Sequence, residues 1–421
     1  MEFTAIKGFK DILPDDVATW QALEAGTRRV FGAFGFREIR PPLMERTELF
    51  SRGIGQETDI VSKEMYTLKD SKGRGMTLRP EATASVARAY IQNRLYQKNP
   101  VQKLFTIGPM FRHERPQKGR FRQFHQINAE IFGDPGPQAD AEIIVMAMTL
   151  LGQMGLTELT LNLNSLGCPD CRVAFRRELQ SYLESRRDAL CADCRRRSET
   201  NPLRVFDCKV ETCREVVETA PSILDFICGP CRAHFETVKS YLNGVNTPYL
   251  INHKLVRGLD YYTRTTFEIQ TEKLGAQNAV VGGGRYDGLV KLLGGPDHAG
   301  TGFAMGMERL VALLDESRKR PVPAPDLFMA VLGEDAEQKA FNWALDLRRQ
   351  GFGVQLEYGS RGLKAQMKRA HRVGSPKVLI VGEEELRKGS GILRDMTTKQ
   401  QQDIPLENLV NELTNILSDH E

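Results

Sequence analysis

The stretch FRQFHQINAEIF, residues 121–132, constrains the fold more than any other. A strand turns successive side chains to opposite faces. Arg122, Phe124, Gln126, Asn128 and Glu130 therefore share one face, and Gln123, His125, Ile127, Ala129 and Ile131 share the other. Burying an unpaired polar group costs roughly 2–7 kcal/mol. A sheet with two amides and a carboxylate on one side must open that side to water or use it to hold something polar. Residues 101–111 read as a second strand and RPQKGR (115–120) as the loop between, which predicts an antiparallel hairpin with a basic tip.

At 421 residues the chain is long enough for more than one domain, and 41% hydrophobic with 27% charged residues is ordinary for a globular protein. Its 58 basic and 54 acidic residues nearly cancel, so composition alone does not argue for nucleic-acid binding. The N-terminal MEFTAIKGFKDILPDD has acids and no apolar h-region, unlike a signal peptide. No apolar run approaches the roughly 18 residues of a membrane span. A cytoplasmic protein without a membrane partner is expected.

Pro14, Asp15 and Asp16 are helix-start residues, and Trp20, Leu23, Val30 and Phe31 form an apolar stripe behind them. GFREIRPPLMER (35–46) reads as a short strand stopped by Pro41 and Pro42. Residues 77–95 read as a strand end turning into a helix, and 157–163, RTTFEIQ and NAVVGGG as further strands. MGMERLVALLDES reads as a helix, and the proline-rich ESRKRPVPAPD (316–326) as a linker. Beyond it, strand and helix patterns alternate as βαβαβ, which predicts a small domain with a largely parallel sheet. SRGIGQETDIVS (51–62) reads as a loop that orders on ligand binding.

Four stretches carry chemistry. The hairpin brings Arg112, Glu114, Lys118, Arg120, Arg122 and Phe124 together, offering guanidinium groups to phosphate and a ring to a base. A solvated, charge-laced edge is the competing reading. KLVRGLDYYTRTTFEI (254–269) places Arg257 and Arg264 around Asp260, Tyr261 and Tyr262; on an extended backbone the two rings would point apart. GGGRYDGL (282–289) does not fit the G-x-G-x-x-G dinucleotide pattern and alone reads as a turn. GTGFAMGMERLVALL (300–314) leads into a helix whose opening turns carry Glu308 and Arg309, an arrangement suited to phosphate or to ordinary packing.

Taken in order, GFREIRPPLMER, FRHERPQKGRFRQFHQINAEIFG and GTGFAMGMERLVALL resemble the three signature motifs of class II aminoacyl-tRNA synthetases. LVRGLDYYTRTTFE and GGGRYDGL resemble the two motifs particular to the histidyl-tRNA synthetase family. The resemblance spans nearly the whole chain. It implies an α+β catalytic core on an antiparallel sheet (1–167 and 241–320), a cysteine-rich helical insertion (168–240), and a C-terminal three-layer α/β anticodon-binding domain (326–421). It implies formation of histidyl-adenylate from L-histidine and ATP with Mg2+, then transfer to the 3′ end of tRNA(His), by a homodimer whose interface includes 36–60. Carried over by position, Arg112 holds the α-phosphate and the activated carboxylate, Glu114, Arg120 and Phe124 place the adenine and outer phosphates, and Arg309 clamps the γ-phosphate. Glu81, Thr83, Gln126 and Glu130 hold the histidine, Tyr261, Tyr262 and Tyr286 close its pocket, and Arg257 takes the electrostatic role often given to a metal.

All eight cysteines lie between 168 and 231: Cys168 and Cys171, Cys191 and Cys194, Cys208 and Cys213, Cys228 and Cys231. Three C-x-x-C pairs and one wider pair in a cytoplasmic chain read as structural zinc ligands, enough for two four-cysteine sites; free thiols or labile disulfides are the alternatives. Spacing does not say which cysteines share an ion, and the family does not generally require a metal here. A regulatory relative that binds histidine without activating it is the main rival function. Such relatives usually lose the ATP-binding arginines and the C-terminal domain, whereas Arg112, Arg120, Arg257, Arg309 and residues 326–421 are all present.

Overall fold

The computed structural model describes residues 3–55, 58–116, 119–274, 278–314, 322–359 and 361–418. Lys118 of the hairpin tip, residues 56–57 of the 51–62 stretch, and residues 315–321, with the end of the predicted helix and most of the linker, lie outside them. The chain divides into two compact units, Met1–Arg320 and Pro321–Glu421. Among the described residues no helix is long and apolar enough to cross a membrane.

The first unit is organised by an eight-stranded sheet. In spatial order its strands are Arg37–Glu38, Gln102–Phe111, Gln123–Phe132, Gly300–Gly306, Ala279–Arg285, Thr263–Gln270, Thr160–Ser165 and Leu250–Ile251. The hairpin forms in full register, from Gln102 opposite Phe132 to Phe111 opposite Gln123. The sheet is mixed rather than antiparallel throughout: the two-residue edge strands Arg37–Glu38 and Leu250–Ile251 pair parallel with their neighbours. Arg37–Glu38 falls within the short strand read at 35–46, whereas Leu250–Ile251 is too short a run for any periodicity to show.

One face of the sheet is the main core. Phe105, Ile127, Ala129, Ile131, Phe267, Ile269, Val281, Phe303 and Met305 pack there against the helices Pro14–Ala33, Pro137–Gln153 and Gly229–Gly244. The first helix starts on Pro14 with Asp15 and Asp16 in its opening turn, where a missing N–H costs nothing and negative charge suits the dipole. Buried Arg285 reaches Asp140 at 2.8 Å, and Asp140 lies 2.7 Å from His234 Nε2, so one charged cluster ties both later helices to the sheet. Burial works against the Asp140 carboxylate, but the charges of Arg285 and His234 hold it below its ordinary range.

Beside the opposite face lies a small sheet of Met44–Arg46, Gly75–Leu78 and Tyr66–Lys69. The described parts of 51–62 are largely helical rather than a loop: Thr47–Ile54 is a helix with Phe50 and Ile54 buried, and Ile60–Glu64 forms a π-helical turn. Residues 168–244 form the helices Pro169–Glu184, Ala192–Thr200, Glu211–Glu218 and Gly229–Gly244.

In the second unit, Val354–Leu356, Leu327–Val331 and Lys377–Val381 pair in parallel, as the βαβαβ pattern predicts. Ser390–Asp395 and Gln401–Pro405 then extend the sheet in antiparallel fashion. Apolar clusters cover both faces, one including Ala336, Ala340, Leu409 and Leu413 and the other Ala370, giving three layers.

Candidate functional site

The site occupies the face of the large sheet that turns away from the main core. Cross-strand neighbours share a face, and the register sets Thr106, Asn128, Ala304, Gly282, Glu268 and Asn162 in one row across six strands. The adjacent row runs Leu104, Glu130, Gly302, Gly284, Thr266 and Asn164. Small residues hold the middle of each row, so the face is a groove with polar groups on both banks. Among the described residues, Thr106 Oγ1, Gln126 Oε1 and both amide atoms of Asn128 are buried without a protein partner. A fold that is stable without a ligand rarely leaves so many donors and acceptors unused on one surface.

Two glycines keep that surface open. A Cβ on Gly282 would stand 1.8 Å from Arg257 Nη2, and one on Gly302 would stand 1.8 Å from Glu130 Oε2. GGG (282–284) is thus not the turn that GGGRYDGL suggests in isolation but, as the reading of NAVVGGG as a strand predicts, part of the strand Ala279–Arg285, where Gly282 gives Arg257 its space; Gly302 does the same for Glu130 from the strand Gly300–Gly306.

Glu130 is the centre of one end. Thr83 Oγ1 donates to its Oε1 at 2.7 Å, and the Tyr286 hydroxyl donates to its Oε2. Burial pushes its carboxyl up to about 8; the two hydroxyl donors oppose this and the charge of nearby Glu81 adds to it. Burial also raises Glu81, although it accepts the backbone N–H groups of Thr83 (2.8 Å) and Ala84 (2.9 Å) at the start of the helix Thr83–Gln92.

Tyr261, Tyr262 and Tyr286 converge beside Glu130, with ring centroids 4.7, 5.4 and 6.3 Å apart. Adjacent tyrosines point apart only on an extended strand, and residues 258–261 turn before the strand Thr263–Gln270 begins. Both rings therefore face one place. Burial lifts all three phenols above their ordinary range.

Arg257 lies over Gly282 and donates to Glu268, with its guanidinium carbon 5.9 Å from the Tyr262 ring centroid. Burial alone would lower this guanidinium, but Glu268, Tyr262 and Asp207 outweigh it, so its charge is held firmly. Its Nε has no protein partner. Glu268 is the site residue that motif reading missed. Its signal was the alternation of Thr266, Glu268 and Gln270 with Thr265, Phe267 and Ile269.

At the hairpin end, Arg112 Nε donates to the Pro80 carbonyl at 2.9 Å, and its guanidinium carbon lies 5.3 Å from the Phe124 ring centroid. Arg120 pairs with Glu114 at 3.0 Å. Arg309 donates to the carbonyls of Ala279 and, at 3.4 Å, Gly119. Burial and the nearby charges of Arg120 and Arg112 lower it, as expected where cations are gathered in advance of an anion. Glu308 is not solvated: it accepts the backbone N–H of His125 at 2.8 Å and ties the helix Met307–Leu313 to the hairpin. Arg264 is apart from this group, 3.9 Å from Asp287.

Elsewhere the eight cysteines gather in two fours. Cys168, Cys171, Cys228 and Cys231 form one set, and Cys191, Cys194, Cys208 and Cys213 the other.

The sequence profile described as histidyl-tRNA synthetase matches residues 8–310, and that described as anticodon binding domain matches 326–416. The histidine–tRNA ligase of Desulfosudis oleivorans is 56% identical over 417 residues, covering 99% of both chains. That of Desulfatibacillum aliphaticivorans is 54% identical over 413 residues, covering 98% of this chain and 99% of its own. Among solved structures, apo S. aureus histidyl-tRNA synthetase superposes with a TM-score of 0.82 at 35% identity, over 98% of this chain and 99% of that one. Conserved architecture and full-length sequence similarity agree: the chain belongs to the histidyl-tRNA synthetase family, with a class II core and a C-terminal anticodon-binding domain.

Proposed function

We propose that the polar sheet face is where this histidine–tRNA ligase joins L-histidine to ATP, and that the residues gathered there act as follows. Glu130, Thr83, Glu81 and Gln126 hold the ammonium and imidazole of histidine, and Tyr261, Tyr262 and Tyr286 close over it. An imidazole N–H donated to Glu130 would draw that carboxyl back to the ionised form. Recognition through both ring nitrogens rejects analogues that merely match histidine in shape, because they leave buried partners unpaired.

ATP lies along the hairpin, with Phe124 and Arg112 framing the adenine and α-phosphate, Glu114 and Arg120 placing the purine and outer phosphates, and Arg309 at the γ-phosphate. Histidine carboxylate attacks the α-phosphorus and pyrophosphate leaves. Negative charge builds on the phosphoryl oxygens between Arg112 and Arg257, both already fixed by protein contacts. Such preset charges stabilise the transition state without rearrangement. The 3′-terminal ribose of tRNA(His) then takes the histidyl group, and AMP leaves. No covalent bond to the enzyme forms at either step.

ATP brings Mg2+ on its phosphates. Phosphate oxygens and water would supply most of the magnesium shell, as that ion prefers. The eight cysteines are structural zinc ligands outside the reaction. The region 168–240 serves as an insertion in the core formed by 1–167 and 241–320, and 326–421 reads the anticodon. The protein works in the cytoplasm as a homodimer, with 36–60 at the interface.

The observation that carries this reading is the set of unpartnered polar groups on Thr106, Gln126 and Asn128, on the same sheet face that Arg257 overlies at Gly282. ATP–pyrophosphate exchange with each of the twenty amino acids, without tRNA, tests it. Exchange with histidine alone is expected; saturable histidine binding without exchange would instead mark a regulatory histidine-binding protein.

A further inference from the structure

We propose that each chain holds two structural zinc ions, one bound by Cys168, Cys171, Cys228 and Cys231 and the other by Cys191, Cys194, Cys208 and Cys213, and that together they brace the wall carrying Tyr262. In each set the four sulfurs all lie within 4.8 Å of one another. A tetrahedral zinc with bonds of about 2.3 Å separates its sulfurs by about 3.8 Å. Cys168 and Cys171 are 3.4 Å apart, and Cys191 and Cys208 are 3.9 Å apart. Four thiols pairing as disulfides have no need of such fourfold convergence, and four thiolates around an iron–sulfur cluster must stand back from several metal atoms.

Local structure prepares the thiolates. Cys168, Cys191 and Cys228 each sit at a helix N-cap, with Cys171, Cys194 and Cys231 one turn in, so each pair is set out by the first turn of a helix. Backbone N–H groups donate across each set: Cys228 to Cys171 Sγ at 3.1 Å, and Cys191 to Cys213 Sγ at 3.2 Å. These bonds orient the ligating sulfurs before metal arrives. In each set two sulfurs belong to buried cysteines and two to more accessible ones, so an ion can reach them.

The sets are nested, 191–213 inside 168–231, and their buried cysteines share one apolar cluster with Tyr262 and Tyr286. Arg172, next to Cys171, donates to the Tyr262 carbonyl. Asn201 and Arg204, between Cys194 and Cys208, reach Asp260 Oδ1 at 3.3 and 2.8 Å. The turn 258–262 thus leans on both sets. This bracing rests on the reading of Tyr262 as a histidine-pocket residue; the ligand assignment does not.

Elemental mass analysis of the full chain, purified without added metal, should give two zinc per chain. Cys171→Ser and Cys213→Ser should each leave one, and the double variant none. Fewer than two zinc in the parent, iron in its place, or both ions lost with either substitution would overturn the assignment. Should the variants fail to fold, cobalt substitution of the parent decides: two cobalt per chain with intense tetrahedral thiolate absorption is expected, and weak octahedral bands would refute it. In Cys213→Ser the KM for histidine should rise about tenfold, more than that for ATP. An unchanged KM beside a lost zinc would overturn the bracing alone and leave the catalytic reading untouched.

Discussion

On one face of the eight-stranded sheet, Phe105, Ile127, Phe267 and Phe303 are packed into the main core. One residue away in the same strands, Thr106, Asn128, Glu268 and Gly302 face the other way into the groove. The first face gains its free energy by removing apolar surface from water, about 25 cal/mol per Å². The second keeps buried amides without protein partners and a carboxyl forced toward its neutral form. Stability and chemistry are thus divided by the two-residue period of the strands, and each face should respond differently to mutation.

The largest effect is expected on the core face. Phe267→Ala should destabilise the first unit by about 3–5 kcal/mol in denaturant melts, while the folded fraction keeps its KM for histidine. Arg257→Ala should do the reverse: adenylate formation should fall on the order of 10²-fold in single-turnover assays with little change in stability. An Arg257→Ala enzyme that forms adenylate at the parent rate would remove the role given to that guanidinium.

Glu130 offers a pH test. Its folded pKa of about 8 lies above the ordinary carboxyl value of 4.5, so the folded chain holds an extra proton between them. The corresponding stability is present at low pH and lost as pH rises through 8, on the order of 1–3 kcal/mol between pH 6 and 9. Glu130→Gln should flatten that decline in ligand-free melts and abolish histidine activation; parallel curves for the two proteins would rule out the raised carboxyl.

Gly282→Ala should slow pyrophosphate exchange about tenfold, since its Cβ would meet Arg257 at 1.8 Å and displace it. Unchanged exchange would mean the guanidinium position is not critical. The smallest effect belongs to Asn128→Ala, which should leave stability within about 1 kcal/mol of the parent, because its amide satisfies nothing in the ligand-free fold. A loss of several kcal/mol would show Asn128 to be structural.

The polar face was legible because alternation in 122–131 is local, and so were the hairpin and the βαβαβ order of the second unit. What the sequence concealed depends on pairs brought together from afar. Arg257 lies in an irregular segment before the strand Thr263–Gln270, so its place over Gly282 comes from tertiary packing that no local pattern announces. Tyr261 and Tyr262 converge because a turn replaces the extended backbone that would have separated them. The cysteine sets are nested, so nearest-neighbour counting in the chain cannot divide the eight cysteines into the two fours that the fold gathers. The antiparallel strands Ser390–Asp395 and Gln401–Pro405 escaped because glycine and polar residues blur their alternation.

The account's central claim is that the unpartnered polar face receives the substrates. A crystal structure with L-histidine and a non-hydrolysable ATP analogue tests it most directly. The imidazole should lie between Glu130 and the three tyrosines, with the α-phosphate between Arg112 and Arg257. A cavity of about 350 Å³ lined by Arg172, Arg204, Asp260 and Tyr262 offers the competing location. Histidine bound there, with Gln126 and Asn128 untouched, would contradict the account.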